Sequence, residues 1–524
     1  MNATIPKLAA TFGLDQNEHS DVLLECLNDF MDVDGSSDQV DDFISKLTSG
    51  GVSNYAHASN GAKGRNLATV PPTLDVQQSQ TTTPYRERAH ANLIDTQYNA
   101  HLTFPTKDHT QPSKVATIQA IQPQIEKYRY MFEKIRNKAE VLDDRIDYMA
   151  DVISEAHGLG EDAYGNPSRV TQGTITAVGR ICCDTSEGKL NDKSVLLETS
   201  RTLGMGKRVK LDISNVDTYS LFPGQIVAVE GTNKTGKVFS VDKILLPPFP
   251  EPLMEITPLD DSQPHNHITQ IILAAGPYTL DSDLSFEPLQ ELLATCHNEQ
   301  PDVLILMGPF LSANHPSIAN GQIDQLPEDI FRTQISAKLT QFAQSSPTVN
   351  ILMMPHADDI IQDWPLFPQP SLQLSSLNMA CPSIQSISNP SIININGSLF
   401  ALANVDILLA LGTQELGKSG SSDRMVNLSR HVLQQQNFYP LFPTALGDAL
   451  DADQLAYLQL SVKPDFLVLP SQLKHFSKLV DDVLCINPGH LCKGRSGGTF
   501  ARLAIHPTNG LPTHTKTRID LTKI

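Results

Sequence analysis

The stretches that decide the fold are HITQIILAAGPY (His267–Tyr278) and PDVLILMGPFLS (Pro301–Ser312). Each contains an uninterrupted aliphatic run, which predicts a strand buried on both faces of a sheet. In open α/β sheets, chemistry takes place just beyond the carboxyl ends of such strands. At these ends the chain carries Gly276-Pro277 and Gly308-Pro309, which have no side chain that can hold a metal or move a proton. The two runs therefore predict an enzyme-like sheet that lacks an enzyme's reactive groups.

The region around these runs, 251–524, alternates apolar runs with amphipathic stretches, which predicts a two-layer or sandwiched α/β domain with a mixed sheet. Strands are predicted at ITQIILAAG, DVLILMG, VNILMMP, SIININGSLFALANVDILLALG, DFLVLP, VLCINPG and TFARLAI. Helices are predicted at LQELLATCH, IFRTQISAKLTQFAQ, MVNLSRHVLQQQ and SQLKHFSKLVDDV.

Residues 166–250 change to a β period. Five short strands separated by Gly, Asn, Asp and Lys turns fit a small closed barrel of the oligonucleotide-binding (OB) type. They are predicted at TQGTITAVGRICC, SVLLETS, RVKLDI, GQIVAVEGTN and VFSVDKILL. Barrels that bind single strands carry aromatic residues among basic ones. Because Phe239 is almost the only aromatic residue in these strands, a structural barrel is favoured over a DNA-binding one.

Residues 114–165 are predicted to be a helical segment, because apolar residues recur there at alternating spacings of four and three. They are Tyr128, Phe132, Ile135, Ala139, Leu142, Ile146, Met149 and Ile153. Such a stripe suits either a two-chain coiled coil or a helix that packs on its own domain. The second is favoured, because the stripe contains Ala and aromatic residues in place of regular Leu and Ile.

The N-terminal part of the chain has a different composition. Residues 1–50 carry ten Asp and Glu against two Lys, with apolar residues at helical spacing, which predicts an acidic helical module. It suits either a solvated helical cap or a docking domain for a basic partner. Residues 51–113 are rich in Gly, Ser, Thr, Asn, Gln and Pro, which predicts a disordered tether. Within it, Thr83-Pro84 is a candidate phosphorylation site for a proline-directed kinase.

Length and charge limit the possible functions. A chain of 524 residues is expected to form two to four folded units. The net charge of −19 argues against broad contact with nucleic acid, which requires a basic surface. The seven cysteines are scattered without CxxC spacing, which suits a reducing compartment and excludes a zinc finger pattern. No apolar run approaches the roughly 20 residues of a membrane span, and the N-terminus is not expected to be a signal peptide.

Several strings between Lys127 and the C-terminus carry a family resemblance. They are KYRYMFEKI, GKLNDKSVLLE, YSLFPGQIVAVEGTN, AAGPYT, PDVLILMGPFL, SSDRMVNLSRHVLQQQNFYPLFP and INPGHLCKGRSGGTFARL. Together with the order of module, tether, barrel and α/β domain, they resemble the B subunits of eukaryotic replicative DNA polymerases, the alpha type above all. In that family the α/β domain is similar to a calcineurin-type metallophosphoesterase. The resemblance thus implies an α+β multidomain protein: a helical module, an OB barrel and a phosphoesterase-type domain without its metal site.

The resemblance identifies the positions where active phosphoesterases hold two metals. Those enzymes carry DxH at the first strand, GDxxD at the second, GNH at the third and a late GHxH. This chain has Gly276-Pro277 and Gly308-Pro309 at the first two, MMPHADD at the third and Gly489-His490-Leu491-Cys492 at the last. Bridging carboxylates are needed to hold two metals. No catalytic, cofactor or metal residue is therefore expected, and the degenerate former metal-site positions are Gly276, Pro277, Gly308, Pro309, His356 and His490.

At position 490 the chain departs from the alpha-type pattern, which usually carries Arg after NPG. The third motif also contains Asp358 and Asp359, which are tempting as metal ligands. Two histidines without the bridging acids do not make a dinuclear centre.

The resemblance also implies partners and a location. The barrel and the inactive domain would form one rigid body that grips the C-terminal domain of the polymerase alpha catalytic subunit, in a nuclear complex with the primase subunits. The N-terminal module would recruit other replication factors, and DNA would be contacted mainly indirectly. The alternatives are an active metallophosphoesterase or nuclease, and a B subunit of polymerase delta or epsilon.

Overall fold

The computed structural model describes residues 85, 88, 90–105, 115–160, 163–185, 188–253, 267–418, 423–507 and 510–524. All of them belong to one compact unit, Thr82–Ile524. The predicted acidic module at 1–50 and the candidate phosphorylation site at Thr83 lie outside the described residues, so both remain predictions.

Twenty-two strands lie in the described part of the chain. They are Ile94–Tyr98 (β1), Ile118–Ala120 (β2), Ile175–Cys183 (β3), Val195–Glu198 (β4), Arg208–Asp212 (β5), Tyr219–Leu221 (β6), Ile226–Thr232 (β7), Val238–Leu245 (β8), Thr269–Ala275 (β9), Val303–Met307 (β10), Asn350–Met354 (β11), Ile384–Ser386 (β12), Ser391–Ile395 (β13), Ser398–Leu402 (β14), Leu416–Lys418 (β15), Phe466–Val468 (β16), Phe476–Val480 (β17), Val483–Asn487 (β18), Cys492–Lys493 (β19), Ser496–Gly497 (β20), Thr499–Ile505 (β21) and Thr517–Lys523 (β22).

The helices are fewer and mostly short. The α-helices are Ile135–His157 (α1), Arg201–Gly204 (α2), Glu287–Glu299 (α3), Pro316–Ala319 (α4), Pro327–Phe331 (α5), Ala337–Ser345 (α6), Ile407–Gln414 (α7) and Arg424–Gln434 (α8). A π-helical turn, Arg332–Ser336, joins α5 to α6, and 3₁₀ turns lie at Ala452–Leu458 and Thr513–Thr515. None of the helices in the described ranges has both the length and the apolar composition that a membrane span requires.

The C-terminal region contains two mixed sheets that pack face to face. One has seven strands in the order β1-β22-β21-β9-β10-β11-β12, and the other has six in the order β17-β18-β16-β14-β13-β2. Strands β9 to β12 are parallel to one another, whereas β21 runs antiparallel to β9 and β22 runs antiparallel to β21. This arrangement confirms the prediction of a mixed α/β domain.

Strand β9 shows how the layers are built. Ile271 and Leu273 point into the core between the two sheets, together with Phe400 of β14. Ile272 and Ala274 point to the opposite face, where they pack with helices α3, α5 and α6. A third core lies on the outer face of the six-stranded sheet, under α7 and α8. Since both faces of each sheet are covered, central strands such as β9, β10 and β11 are buried along their whole length and mainly apolar, as the sequence indicated.

Residues 175–245 form a closed five-stranded barrel in the order β3-β4-β5-β8-β7. Its interior is filled by aliphatic side chains and Phe239. Helix α1 packs on the outside of the barrel, where Ile146, Met149 and Ile153 contact Val178 and other apolar residues of β3, β7 and β8. The C-terminal part of the heptad stripe therefore packs on its own chain, as favoured above, whereas Ile135 at the start of α1 is exposed.

The barrel is joined to the α/β domain by shared backbone structure. Strand β6 leaves the barrel region and pairs with β15 of the α/β domain. The side-chain amide of Gln435 accepts a hydrogen bond from the Ile226 N–H (2.8 Å) and donates one to the Ile226 carbonyl (2.9 Å). The Arg145 guanidinium of α1 donates to the backbone carbonyls of Gln435 and Gln436. Helix, barrel and α/β domain thus meet at the end of α8.

Five predictions about local structure were wrong. The apolar run VDILLALG is helix α7, because the Asp406 side chain caps it by accepting a hydrogen bond from the Leu409 N–H. The stretch SQLKHFSKLVDDV contains strand β17, which turns into β18 through Asp481 and Asp482, both at positive φ. Helix α1 begins at Ile135, so Tyr128 and Phe132 precede it.

The fourth error concerns the boundary of the predicted tether. Residues 94–98 form β1, which pairs antiparallel with β22 at the other end of the chain. The fifth error is in the segment predicted as helical, where residues 118–120 form β2 at the edge of the six-stranded sheet. The polar sequence of β1 concealed a strand whose partner lies at the opposite end of the sequence.

Candidate functional site

A cavity of about 530 Å³ lies at the carboxyl ends of β9, β10 and β11. This is where ligands bind in open α/β folds. The cavity brings together all six of the positions singled out from the sequence. They are Gly276, Pro277, Gly308, Pro309, His356 and His490.

The two Gly-Pro pairs pack against each other on one wall of the cavity. Both peptide bonds are cis. A Cβ atom built at Gly276 would overlap the carbonyl oxygen of Pro309, and one built at Gly308 would overlap the carboxylate of Asp359. The space in which a larger side chain at either glycine would lie is therefore already occupied.

The carbonyl groups at this wall are satisfied by a side-chain amide. Asn404 donates from Nδ2 to the carbonyls of Gly308 and Pro355, at 3.0 Å each. Asn389 in turn accepts a hydrogen bond from the Asn404 N–H at 2.8 Å. All of these groups are buried, so the strand ends are fixed by hydrogen bonds between protein groups.

His356 is committed to the local turn. The backbone N–H of Asp358 donates to His356 Nδ1 at 3.1 Å. Burial lowers the pKa of His356 below its usual value, against the opposing effect of Asp358. The ring is therefore neutral, and Nδ1 is already used as an acceptor.

Asp359, which the sequence suggested as a metal ligand, accepts hydrogen bonds from the surrounding backbone. Its carboxylate accepts hydrogen bonds from the backbone N–H groups of Phe310, Leu311 (3.1 Å) and His356 (3.0 Å). Burial raises the pKa of Asp359 to about 7, although these three donors oppose the increase. Its role is to tie the loop after β10 to the loop after β11.

Sequence reasoning missed three residues of the cavity. Asp406 and Asp448 both line it, and Tyr439 donates a hydrogen bond to Asp448 at 2.6 Å. Burial raises the pKa of Asp448. All three residues come from segments between the recognised motifs. For Asp406, the one signal in the sequence is that it comes shortly after an apolar run; Asp448 and Tyr439 have no such signal.

The charge of this cavity is unsuited to phosphate. Asp358, Asp406 and Asp448 contribute carboxylates, whereas none of the described residues that line it is Lys or Arg. Phosphoryl chemistry requires cations or metal ions that neutralise the developing charge. In the described ranges, no group of three or more His, Cys, Asp or Glu side chains is arranged to hold a metal ion.

His490 provides a test of the cavity's electrostatics. Burial lowers its pKa to about 4. Because the unfolded chain protonates its histidines near pH 6.5, protonation below that pH favours unfolding, and the free energy of unfolding should fall as the pH drops. In His490→Gln this contribution disappears, so the loss between pH 7 and pH 5 should be smaller by about 2 kcal/mol.

Urea unfolding at several pH values measures this difference. His101→Gln, which changes an exposed histidine, is the matched control and should keep the wild-type profile. Identical pH profiles for wild type and His490→Gln would show that position 490 titrates normally.

A second concave surface lies where α1, the barrel and the α/β domain meet. It is a groove of about 410 Å³ lined mainly by apolar groups, among them Leu142, Leu441 and Phe442. Just before it along the chain, Met131 is 83% exposed and Ile135 is 91% exposed. Ile135 precedes Leu142 by seven residues, so both lie on one face of α1. Exposed apolar residues beside an apolar groove are typical of a protein-binding surface.

Two family models match the chain. Residues 139–246 match the OB domain of the DNA polymerase alpha B subunit, and residues 271–478 match the model for the B subunit of DNA polymerases alpha and epsilon. Barrel, helix α1 and two-sheet domain together thus define an accessory B subunit of a replicative DNA polymerase.

Individual relatives show which polymerase's B subunits this chain resembles. The B subunit of DNA polymerase alpha from Schizosaccharomyces pombe is 34% identical over 81% of this chain and 76% of its own length. The Mus musculus protein of the same name is 35% identical over 73% of this chain and 62% of its own length, so the match spans about three fifths of that relative. The chain belongs to the family of DNA polymerase alpha B subunits.

One solved structure, an archaeal phosphodiesterase, also aligns with the chain. The two are 12% identical, with a TM-score of 0.25, over 48% of this chain and 99% of the other. A likeness this weak supports no conclusion about either fold or activity.

Proposed function

We propose that this chain is a non-catalytic subunit of the DNA polymerase alpha–primase complex, where it scaffolds the catalytic subunit and supports the initiation of replication and primer synthesis. The observation that carries the proposal is the cavity at the strand ends. Its Gly-Pro walls leave no space for bridging carboxylates at Gly276 or Gly308, and its remaining charge is acidic. A phosphoesterase-type domain without these groups is retained for its surfaces.

The partner that we propose for these surfaces is the C-terminal domain of the polymerase alpha catalytic subunit. The groove beside Met131 and Ile135 spans helix, barrel and α/β domain, so a partner seated there would contact all three. The primase subunits would join through the same complex, other replication factors would bind the N-terminal module, and the site of action would be the nucleus. Family membership supports this assignment over an active phosphoesterase or nuclease and over polymerase delta or epsilon.

The experiment is co-purification of the full chain with the catalytic subunit's C-terminal domain. Because β1 completes the seven-stranded sheet, a fragment starting at 114 would lose an edge strand and is unsuitable. The double variant Met131→Ser/Ile135→Ser should lower the affinity at least tenfold, since interface cores depend on a few apolar anchors. Leu326 and Leu511 are also exposed, at 67% and 53%, so Leu326→Ser/Leu511→Ser is the matched control.

Two results would contradict the proposal. Failure of the wild-type chain to co-purify would remove the scaffold function. Mn²⁺-dependent hydrolysis of a model phosphodiester that is lost in His356→Ala would establish the enzyme instead.

A further inference from the structure

The barrel carries a charge opposite to that of the whole chain. Residues 166–246 contain eleven Lys and Arg against eight Asp and Glu, whereas the complete sequence has 39 against 58. A local excess of this kind raises the electrostatic potential of one surface in an otherwise acidic protein.

Strand pairing gathers part of this charge on one side of the barrel. Along β5, Val209 and Leu211 are buried while Arg208 and Lys210 point outward. Lys210 is paired with Val238, the first residue of β8, and Lys237 directly precedes that strand. Lys234 belongs to the same β7–β8 turn, and Lys207 directly precedes β5.

The lysines of this surface are available to a ligand. Lys207, Lys210, Lys234 and Lys237 are all exposed, and none forms an ion pair with another described residue. Unpaired lysines of one sign along adjacent strands repel each other, a cost that an anionic ligand would remove.

Two carboxylates lie beside this charge, Glu198 on β4 and Asp212 on β5. Glu198 accepts from both Arg180 (2.6 Å) and Arg208 (3.0 Å), so that group keeps a net positive charge. Asp212, at the far end of β5, points outward as Lys210 does, and hydrogen bonds from Ser214 lower its pKa, so this carboxylate stays ionised and the positive surface ends there.

The loop that precedes β3 adds one more positive charge to this surface. The Asn233 side chain donates to the carbonyl of Pro167 at 2.8 Å, and the Thr171 N–H donates to the Asn233 carbonyl at 2.9 Å. These bonds hold the segment that contains exposed Arg169 against the β7–β8 turn that contains Lys234.

We propose that the cationic row, defined as Arg169, Lys207, Lys210, Lys234 and Lys237, binds the phosphate backbone of single-stranded nucleic acid. A single strand can follow the curved outer surface of a small barrel, whereas duplex DNA is stiff over about 150 base pairs. The exposed large apolar residues of the barrel in the described ranges are aliphatic, among them Val170, Met205 and Val238, so bases are not stacked and the contact is independent of sequence. This contact is separate from the scaffold function proposed above.

The test measures the binding of fluorescein-labelled dT20, rU20 and a 20-base-pair duplex to the full chain at 50 to 200 mM NaCl. Lys210→Glu/Lys237→Glu should weaken binding of both single strands at least tenfold at 50 mM NaCl. The slope of log affinity against log salt should become shallower by about 1.4, because two phosphate contacts are lost. The duplex should bind the wild-type chain at least tenfold more weakly than dT20.

The matched control is Lys474→Glu/Arg495→Glu, which changes the net charge equally at exposed positions of the α/β domain. It should keep wild-type affinity within twofold. The proposal is overturned if the wild-type chain fails to bind dT20 at 50 mM NaCl, or if both double variants lose affinity equally. Displacement of dT20 by polyglutamate at equal charge concentration would also overturn it, because the row would then be a site for an acidic protein. Co-purification with the catalytic subunit should remain normal in the barrel variant, which separates the two functions.

Discussion

Replacing Gly276 with alanine is expected to lower the free energy of unfolding by about 3 kcal/mol or more. The added methyl group would overlap the backbone carbonyl of Pro309. Because this carbonyl is part of the main chain, no change of side-chain rotamer can relieve the contact. Both residues belong to loops that follow buried central strands, so relief requires the two strand ends to separate. Guanidinium unfolding of the full chain measures the loss.

The control for this substitution is Gly173→Ala. No atom lies within 4 Å of a Cβ built at Gly173, so this variant should be within about 0.5 kcal/mol of wild type. Equal stabilities for the two variants would mean that the Gly-Pro wall is loosely packed and that a side chain could be accommodated there. The interpretation of the cavity as closed to bridging carboxylates would then fail.

Replacing Gln435 with leucine is expected to cost about 2 to 4 kcal/mol and to uncouple the barrel from the α/β domain. Leucine fills similar space but leaves the buried N–H and C=O of Ile226 without their partner, and each unsatisfied group costs roughly 1 to 3 kcal/mol. We expect the single unfolding transition of the described unit to separate into two, observed by calorimetry. Binding of the catalytic subunit should weaken as well, since the proposed groove includes Gln435.

Gln434 offers the matched substitution, because it precedes Gln435 at the end of the same helix and is half-buried. Gln434→Leu should change stability by less than about 1 kcal/mol and leave one transition. A cooperative, single transition in Gln435→Leu would indicate that the remaining links, the β6–β15 pairing and the Arg145 hydrogen bonds, are enough to join the two parts.

The sequence predicted most of the central strands because they are apolar on both faces, and periodicity alone identifies such runs as buried. The sequence pattern could not distinguish a buried strand from a buried helix among these apolar runs. The run that contains Ile407–Gln414 forms a helix because Asp406 caps it, and the cap is a single residue inside a long apolar run. The hairpin of β17 and β18 depends on two aspartates at positive φ, a weaker turn signal than Asn-Gly.

The sequence predicted only those residues of the candidate site that belong to recognised motifs. Five of the six positions follow the parallel neighbours β9, β10 and β11, whose carboxyl ends meet at one edge of the seven-stranded sheet, so their convergence follows from sheet topology. His490 follows β18 of the other sheet and enters the cavity from there. Asp406, Asp448 and Tyr439 enter the same cavity from loops with no motif, and neither spacing nor composition places them there. The cationic row on the barrel was missed for a related reason, since its members come from separate strands and turns that only the pairing register brings together.

The pairing of β1 with β22 has a consequence for biosynthesis. Arg88, just before β1, bonds the carbonyl of Ile524, 436 positions later. At ribosomal speeds of about 5 to 20 residues per second, roughly 20 to 90 s pass between the synthesis of β1 and that of β22. Until β22 has been synthesised, the edge of β21 is uncovered and the seven-stranded sheet is incomplete. The α/β domain therefore reaches its complete fold only after β22 has been translated.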